Sequence, residues 1–134
     1  MRGKKRWIRT VPFVCYCLFI VWYTILSRKP GVPKAELRFM WSYREMFIGD
    51  PNWKKDVIQN LQNIAFFIPF GFFAPAKRWI GVFMGALLFS VCVETIQYIG
   101  GYGLAEVDDV ICNTLGAAIG FGLWKMIKGK IDAT

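Results

Sequence analysis

The sequence predicts an all-α membrane protein, with four transmembrane helices in a compact bundle and an additional amphipathic or re-entrant segment at the outer surface. Of the 134 residues, 55% are hydrophobic and 19% are charged, whereas soluble domains are about 45–50% apolar and about 25% charged. The apolar residues form long blocks separated by basic residues, as in integral membrane proteins. We expect a single domain over residues 1–134, with spans at about 8–27, 57–76, 79–99 and 107–127.

The first span is predicted from the apolar block at residues 11–26. A basic start before an apolar block is also typical of a signal peptide. However, the residues after the block, Ser27-Arg28-Lys29-Pro30, contain no small-x-small cleavage site. We therefore expect a retained helix, with Trp7 and Trp22-Tyr23 near its two membrane interfaces.

The long polar segment at residues 28–56 contains the additional surface element. Residues 37–47 are dense in aromatic side chains and arginine. This stretch is too apolar for a solvated linker and too charged to cross a bilayer, so an amphipathic or re-entrant segment at the membrane surface fits it better.

The second and third spans both carry polar side chains inside apolar sequence. Pro69 and Gly71 also interrupt the second span, which is tolerated in a membrane helix when neighbours satisfy the freed carbonyl group. An ionisable side chain inside a span indicates a functional site by default. The polar residues are Asn60, Gln62 and Asn63 in the second span, and Ser90, Glu94 and Gln97 on one face of the third.

The fourth span opens with two adjacent carboxylates, Asp108 and Asp109. Asp109, Asn113, Gly116 and Gly120 have the spacing i, i+4, i+7 and i+11, so they share one helix face. That face is polar at one end and nearly flat at the glycines, where another helix can approach closely. We therefore expect Gly116 and Gly120 to lie at a helix–helix contact.

The distribution of basic residues predicts the topology. Basic residues favour the cytoplasmic side of a membrane, and four spans place both termini on one side. We therefore predict a multi-pass protein with both termini in the cytoplasm. The residues that favour this orientation are Arg2, Lys4, Lys5, Arg6, Arg9, Lys77, Arg78, Lys125, Lys128 and Lys130.

Composition argues against several other functions. The net charge of +8 is spread between apolar blocks, whereas a nucleic-acid binder usually gathers its basic residues on one soluble face. The chain contains no histidine, which rules out Ser-His-Asp and Cys-His catalysis within it. The four cysteines lack C-x-x-C spacing and are interpreted as small apolar residues.

The polar residues of three spans are expected to meet near the outer surface, because neighbouring spans run antiparallel and carry them at similar depth. Like charges at short range in a low dielectric need a cation, an arginine or a proton. Arg28, Arg38 and Arg44 are the basic residues that could face the carboxylates. The predicted site contains Asn63, Glu94, Gln97, Asp108, Asp109 and Asn113, with Arg28 and Arg44.

Three stretches resemble the successive motifs of the VanZ-like membrane proteins. They are Asn63-Ile-Ala-Phe-Phe-Ile-Pro-Phe-Gly71, Ser90-Val-Cys-Val-Glu94-Thr-Ile-Gln97 and Glu106-Val-Asp108-Asp109-Val-Ile-Cys-Asn113-Thr-Leu-Gly116. The segment Tyr23-Thr-Ile-Leu-Ser-Arg28 is similar to the first segment of that family. The family takes its name from a member that lowers sensitivity to the glycopeptide antibiotic teicoplanin. The resemblance therefore implies a protein of the bacterial cytoplasmic membrane, with antibiotic resistance as an inherited expectation.

Three functions remain open at this point. The first is a non-catalytic pocket for a lipid headgroup, a lipid-linked cell-wall precursor or a lipidated antibiotic, with arginines suited to phosphate or carboxylate groups. The second is an intramembrane enzyme in which Glu94, Asp108 and Asp109 hold Mg²⁺ or Ca²⁺ and act on a lipid phosphate. The third is a structural cluster in which carboxylates pair with arginines. A transporter is disfavoured because no inverted repeat is evident.

Overall fold

A computed structural model describes the backbone of residues 2–51 and 53–132, and side chains from residue 7 onward within those ranges. The side chains of Arg2, Lys4, Lys5 and Arg6, which contribute to the topology prediction, lie outside the described residues. The elements are α1 (Arg2–Val21) with a π-helical turn (Trp22–Leu26), β1 (Lys34–Glu36), α2 (Trp41–Ile48), α3 (Trp53–Phe73), α4 (Trp79–Gly100), β2 (Leu104–Glu106) and α5 (Val107–Asp132).

Three described helices are long and apolar enough to cross a membrane: Trp7–Leu26, Trp79–Gly100 and Val107–Asp132. They match the first, third and fourth predicted spans. The second predicted span coincides with α3, which is helical over Trp53–Phe73. The first half of α3 carries several charged and amide side chains, which lower its hydropathy, and the four-span topology therefore remains a prediction.

Helices α3 and α5 pack with their main chains in close contact. A Cβ atom added at Gly116 would lie 2.1 Å from the carbonyl oxygen of Ile64, and one added at Gly120 would lie 1.9 Å from that of Ile68. The same close approach is seen from the other helix, because a Cβ atom added at Gly71 of α3 would lie 1.8 Å from the carbonyl oxygen of Ala117 in α5. The prediction that Gly116 and Gly120 lie at a helix–helix contact is confirmed.

The apolar core joins α1, α3, α4 and α5, and the start of α1 lies at one end of it. Phe67, Phe70 and Phe121 are almost fully buried there. At the same end, Arg9 donates a hydrogen bond to the Phe72 carbonyl group (3.1 Å), and its guanidinium group lies 3.6 Å from the centre of the Trp124 ring. These contacts tie the start of α1 to the ends of α3 and α5.

The opposite end of the bundle carries a short parallel ribbon that the sequence analysis did not predict. Strands β1 and β2 pair in register, with Ala35 opposite Ala105 and Glu36 opposite Glu106. Next to the ribbon, the Gly31 N–H donates to the carbonyl group of Gly101 (2.9 Å). The ribbon therefore joins the segment after α1 to the loop between α4 and α5.

Candidate functional site

A partly open cavity of about 630 Å³ lies at the ribbon end of the bundle. Its walls come from the π-helical turn, from α2 to α5 and from β2. Along α3 its lining residues extend from Lys55 to Phe67, which is about 18 Å at 1.5 Å per residue. Six of the eight predicted ligand-binding residues line this cavity: Arg28, Asn63, Glu94, Gln97, Asp109 and Asn113.

Three carboxyl groups meet in the cavity wall. Glu94 Oε2 accepts a hydrogen bond from the main-chain N–H of Glu106 (3.0 Å), and the Asp109 carboxyl group lies close enough to that of Glu106 to raise its pKa. Gln59 Nε2 donates to Glu106 Oε2 (3.3 Å). Of the three carboxylates predicted to approach one another, Glu94 and Asp109 line the same cavity, whereas Asp108 does not.

Glu106 is the functional candidate that sequence reasoning missed. Burial raises the pKa of the Glu106 carboxyl group to about 8, and the charge of Asp109 adds to this effect. The residue lies in β2, just before α5, and so outside the helix faces on which the prediction was based. Its place in the third family-like motif, three residues before Asp109, was the available signal.

The deeper part of the cavity presents amide groups. Asn113 is 5% exposed, and its Nδ2 donates to Ser90 Oγ (2.8 Å). Its Oδ1 has no hydrogen-bond partner within the described protein, and the same is true of Asp109 Oδ1, Asn63 Nδ2 and Trp41 Nε1. All four residues line the cavity. The cavity therefore offers both acceptors and donors to a ligand.

Gln97 and Arg28 are held in place by main-chain carbonyl groups. Gln97 Nε2 donates to the carbonyl group of Thr24 (3.1 Å), which belongs to the π-helical turn. In that turn the N–H of Ser27 donates to the carbonyl group of Trp22, five residues earlier (2.8 Å). Arg28 Nη1 donates to the Tyr102 carbonyl group (3.1 Å). The exposed Lys55, which the sequence analysis did not single out, also lines the cavity.

Asp108 and Arg44 lie outside the cavity lining, in contrast to the prediction that they belong to the site. Asp108 is 2% exposed, and it accepts hydrogen bonds from the main-chain N–H of Met40 (2.6 Å) and the hydroxyl group of Ser42 (3.1 Å). Its carboxylate thus caps the start of α2, where free N–H groups favour an anion. Arg44 is exposed on α2. Arg38 pairs with Glu36 at 2.7 Å.

The carboxylates proposed from sequence as metal ligands are divided between two places. Glu94 and Asp109 line the cavity, whereas Asp108 caps α2. Among the described residues, no three His, Cys, Asp or Glu side chains have an arrangement suited to a metal ion. The donor set needed for Mg²⁺ or Ca²⁺, with six or more oxygen ligands, is therefore not formed by Glu94, Asp108 and Asp109 together.

An apolar groove of about 450 Å³ lies beside the cavity. Val91, Tyr98 and Val110 contribute to its lining, and the ribbon supplies Ala35 and Ala105. The groove and the cavity share two lining residues, Glu94 and Glu106. A polar chamber and an apolar surface thus lie on either side of the same two carboxyl side chains.

Comparisons with known proteins identify the family. The family model described as VanZ/LLP1 matches residues 13–128. Over 68 residues the chain is 35% identical to "Protein VanZ" of Enterococcus faecium, a match that covers 48% of this chain and 42% of that protein. The chain thus matches less than half the length of this relative. No solved structure shows a significant match. The chain belongs to the VanZ/LLP1 family.

Proposed function

We propose that this protein is a non-catalytic component of the bacterial cytoplasmic membrane that binds a lipid-linked or lipidated ligand. The ligand's polar end occupies the cavity and its apolar chain lies along the adjacent groove. The observation that carries this proposal is that a polar cavity and an apolar groove share Glu94 and Glu106. An amphiphile is the class of ligand that satisfies both surfaces at once.

The size and composition of the cavity support a headgroup as its occupant. Small-molecule sites usually enclose about 300–1,000 Å³ and fix their ligands with a few placed polar groups, and the cavity has about 630 Å³. Asn113 Oδ1 and Asp109 Oδ1, which have no hydrogen-bond partner among the described residues, supply such groups. Buried polar atoms of this kind are costly without a partner, so a ligand that pairs with them gains affinity.

We further propose that the cavity faces the outside of the cell. The contacts of Arg9 support a common end for both termini, and the basic tail of α5 favours the cytoplasmic side for that end. The cavity lies at the other end. In a cysteine-free variant, a cysteine introduced at position 103 should react with a membrane-impermeant thiol reagent added outside intact cells. Reaction only after the cells are opened would contradict this orientation.

Family membership supports a role in lowering sensitivity to teicoplanin-type antibiotics. Expression of the chain in a susceptible strain should raise the inhibitory concentration of teicoplanin. Glu94→Gln should abolish this rise while leaving the protein level and melting temperature near those of the parent protein. Arg44→Gln, on an exposed residue outside the cavity, is the matched control and should retain the rise. Full protection by Glu94→Gln would contradict a role for the cavity.

A further inference from the structure

The charged residues of the cavity are ordered by depth. Arg28 and Lys55 are exposed at its mouth. One helical turn after Lys55, about 6 Å along α3, Gln59 bonds to the Glu106 carboxyl group. Arg28 and Lys55 are exposed, whereas Glu106 is buried and Glu94 and Asp109 are half-buried, so the carboxyl groups lie further inside than the two cations. Asp56, which also lines the mouth, reduces the positive charge there without cancelling it.

We propose, building on the proposed function, that the polar end of the ligand is a phosphoethanolamine-type group. Its primary ammonium group lies among Glu94, Glu106 and Asp109, and its phosphate lies at the mouth beside Arg28 and Lys55. The order of charges in the cavity matches a headgroup with a cation at its inner end and an anion at its outer end, joined by a short linker.

The inner part of the cavity suits a primary ammonium group. Such a group carries three N–H donors and no acceptor. Two acceptors, Asp109 Oδ1 and Asn113 Oδ1, belong to residues that line the cavity and have no hydrogen-bond partner among the described residues, and Asn113 is only 5% exposed. The carboxyl groups of Glu94 and Glu106 lie at the same level, and a bound ammonium group would favour their ionised, hydrogen-bond-accepting form.

The outer part suits a phosphate. Arg28 uses Nη1 to bond the Tyr102 carbonyl group, and its exposed guanidinium group retains further N–H donors. Lys55 adds a second exposed cation at the mouth. The indole N–H of Trp41 and the amide N–H of Asn63 are donors without a partner in the part of the chain that the structure describes, and they suit the phosphate and ester oxygens of the linker.

The test compares headgroups on the protein purified in a non-ionic detergent. Thermal stability is measured against short-chain phosphatidylethanolamine, phosphatidylcholine and phosphatidylglycerol, and against free phosphoethanolamine. Phosphatidylethanolamine should raise the melting temperature and bind about tenfold or more tightly than the other two lipids. Phosphatidylcholine lacks N–H donors on its nitrogen, and phosphatidylglycerol lacks an amine; losing charge-assisted hydrogen bonds has an effect of that size.

Free phosphoethanolamine tests whether the headgroup binds alone or only as part of a lipid. If it also stabilises the protein, the headgroup alone is sufficient; if only the lipid does so, the groove contributes as well, and both results support the proposal. Equal binding of all three lipids would refute it while leaving the proposed lipid binding intact. Binding of no lipid at all would contradict both.

Two variants locate the contacts. Glu94→Gln should lower the preference for phosphatidylethanolamine over phosphatidylglycerol by about tenfold, and Arg28→Gln should weaken both lipids to a similar extent, because both carry a phosphate. Arg44→Gln should leave both affinities unchanged. An unchanged preference in a folded Glu94→Gln protein would overturn the proposed position of the ammonium group. The headgroup comparison on the parent protein holds even if a variant does not fold.

Discussion

Replacing Gly120 by alanine places a methyl group where α3 and α5 are in main-chain contact. The added carbon would lie 1.9 Å from the carbonyl oxygen of Ile68 and 2.9 Å from the main-chain nitrogen of Phe72. Both neighbours belong to the backbone of α3, so no side-chain rotation can relieve the overlap. The two helices must separate, or α3 must bend.

The size of the effect follows from that distance. To reach an ordinary contact, the helices must move apart by roughly 1–1.5 Å at this point. Such a shift also loosens the packing at Gly116 and Gly71, which lie in the same interface. Overpacking typically costs about 1–3 kcal/mol, and we expect a value near the upper limit. For a domain of this length that corresponds to a fall of about 10 °C in melting temperature.

The assay is thermal unfolding of the purified protein in detergent, followed by tryptophan fluorescence. Gly85→Ala is the matched control, because a Cβ atom added at Gly85 of α4 meets nothing within 4 Å. It should leave the melting temperature unchanged or raise it slightly, since alanine favours helix. A Gly120→Ala protein that melts within about 2 °C of the parent would refute the close α3–α5 packing described above.

Three further predictions concern the ribbon end. Asp108→Ala removes the acceptor of the Met40 and Ser42 hydrogen bonds. It should lower the free energy of unfolding by about 1–3 kcal/mol and speed proteolysis within residues 37–48. An unchanged rate of cleavage would contradict the capping role. The pKa of Glu106 is raised from 4.5 to about 8, so the folded state binds its proton more tightly than the unfolded state does. The stability of the ligand-free protein should therefore fall as pH rises from about 5 to 8. Glu106→Gln should flatten this part of the plot of melting temperature against pH, and an equally steep plot would contradict the role of Glu106. Gly101→Ala should destabilise more than Gly49→Ala in thermal unfolding, because both glycines have positive φ but only the Cβ at Gly101 would meet a backbone atom, at 2.0 Å; equal losses would contradict the close approach.

The sequence predicted the positions of the main helices and much of the cavity, because both depend on features with a clear period. Apolar blocks mark α1, α4 and α5, and the i, i+4 spacing of Asp109 and Asn113 places both in the cavity lining. Asp108 was assigned to the same site because it is adjacent to Asp109. Neighbouring residues of a helix point about 100° apart, and Asp108 accordingly faces α2.

The ribbon and Glu106 could not be predicted in the same way. Each strand has three residues, which is too short to produce an alternating pattern. The partners Lys34 and Leu104 lie far apart in sequence, so their pairing depends on how the helices pack. The ribbon places Glu106 in the wall of the cavity, so its role can be recognised only when the packing of the helices is known.

The parallel pairing of β1 with β2 also sets an order of events during synthesis. Arg28 and Tyr102, which bond beside the ribbon, are 74 residues apart in the chain. Ribosomes add about 5–20 residues per second, so several seconds pass between the synthesis of β1 and that of its partner strand. Closing so long a loop also carries an entropic cost. The cavity can therefore form only after α4 has been synthesised and the synthesis of α5 has begun. A nascent chain arrested before residue 104 would leave the edge of β1 without its partner strand.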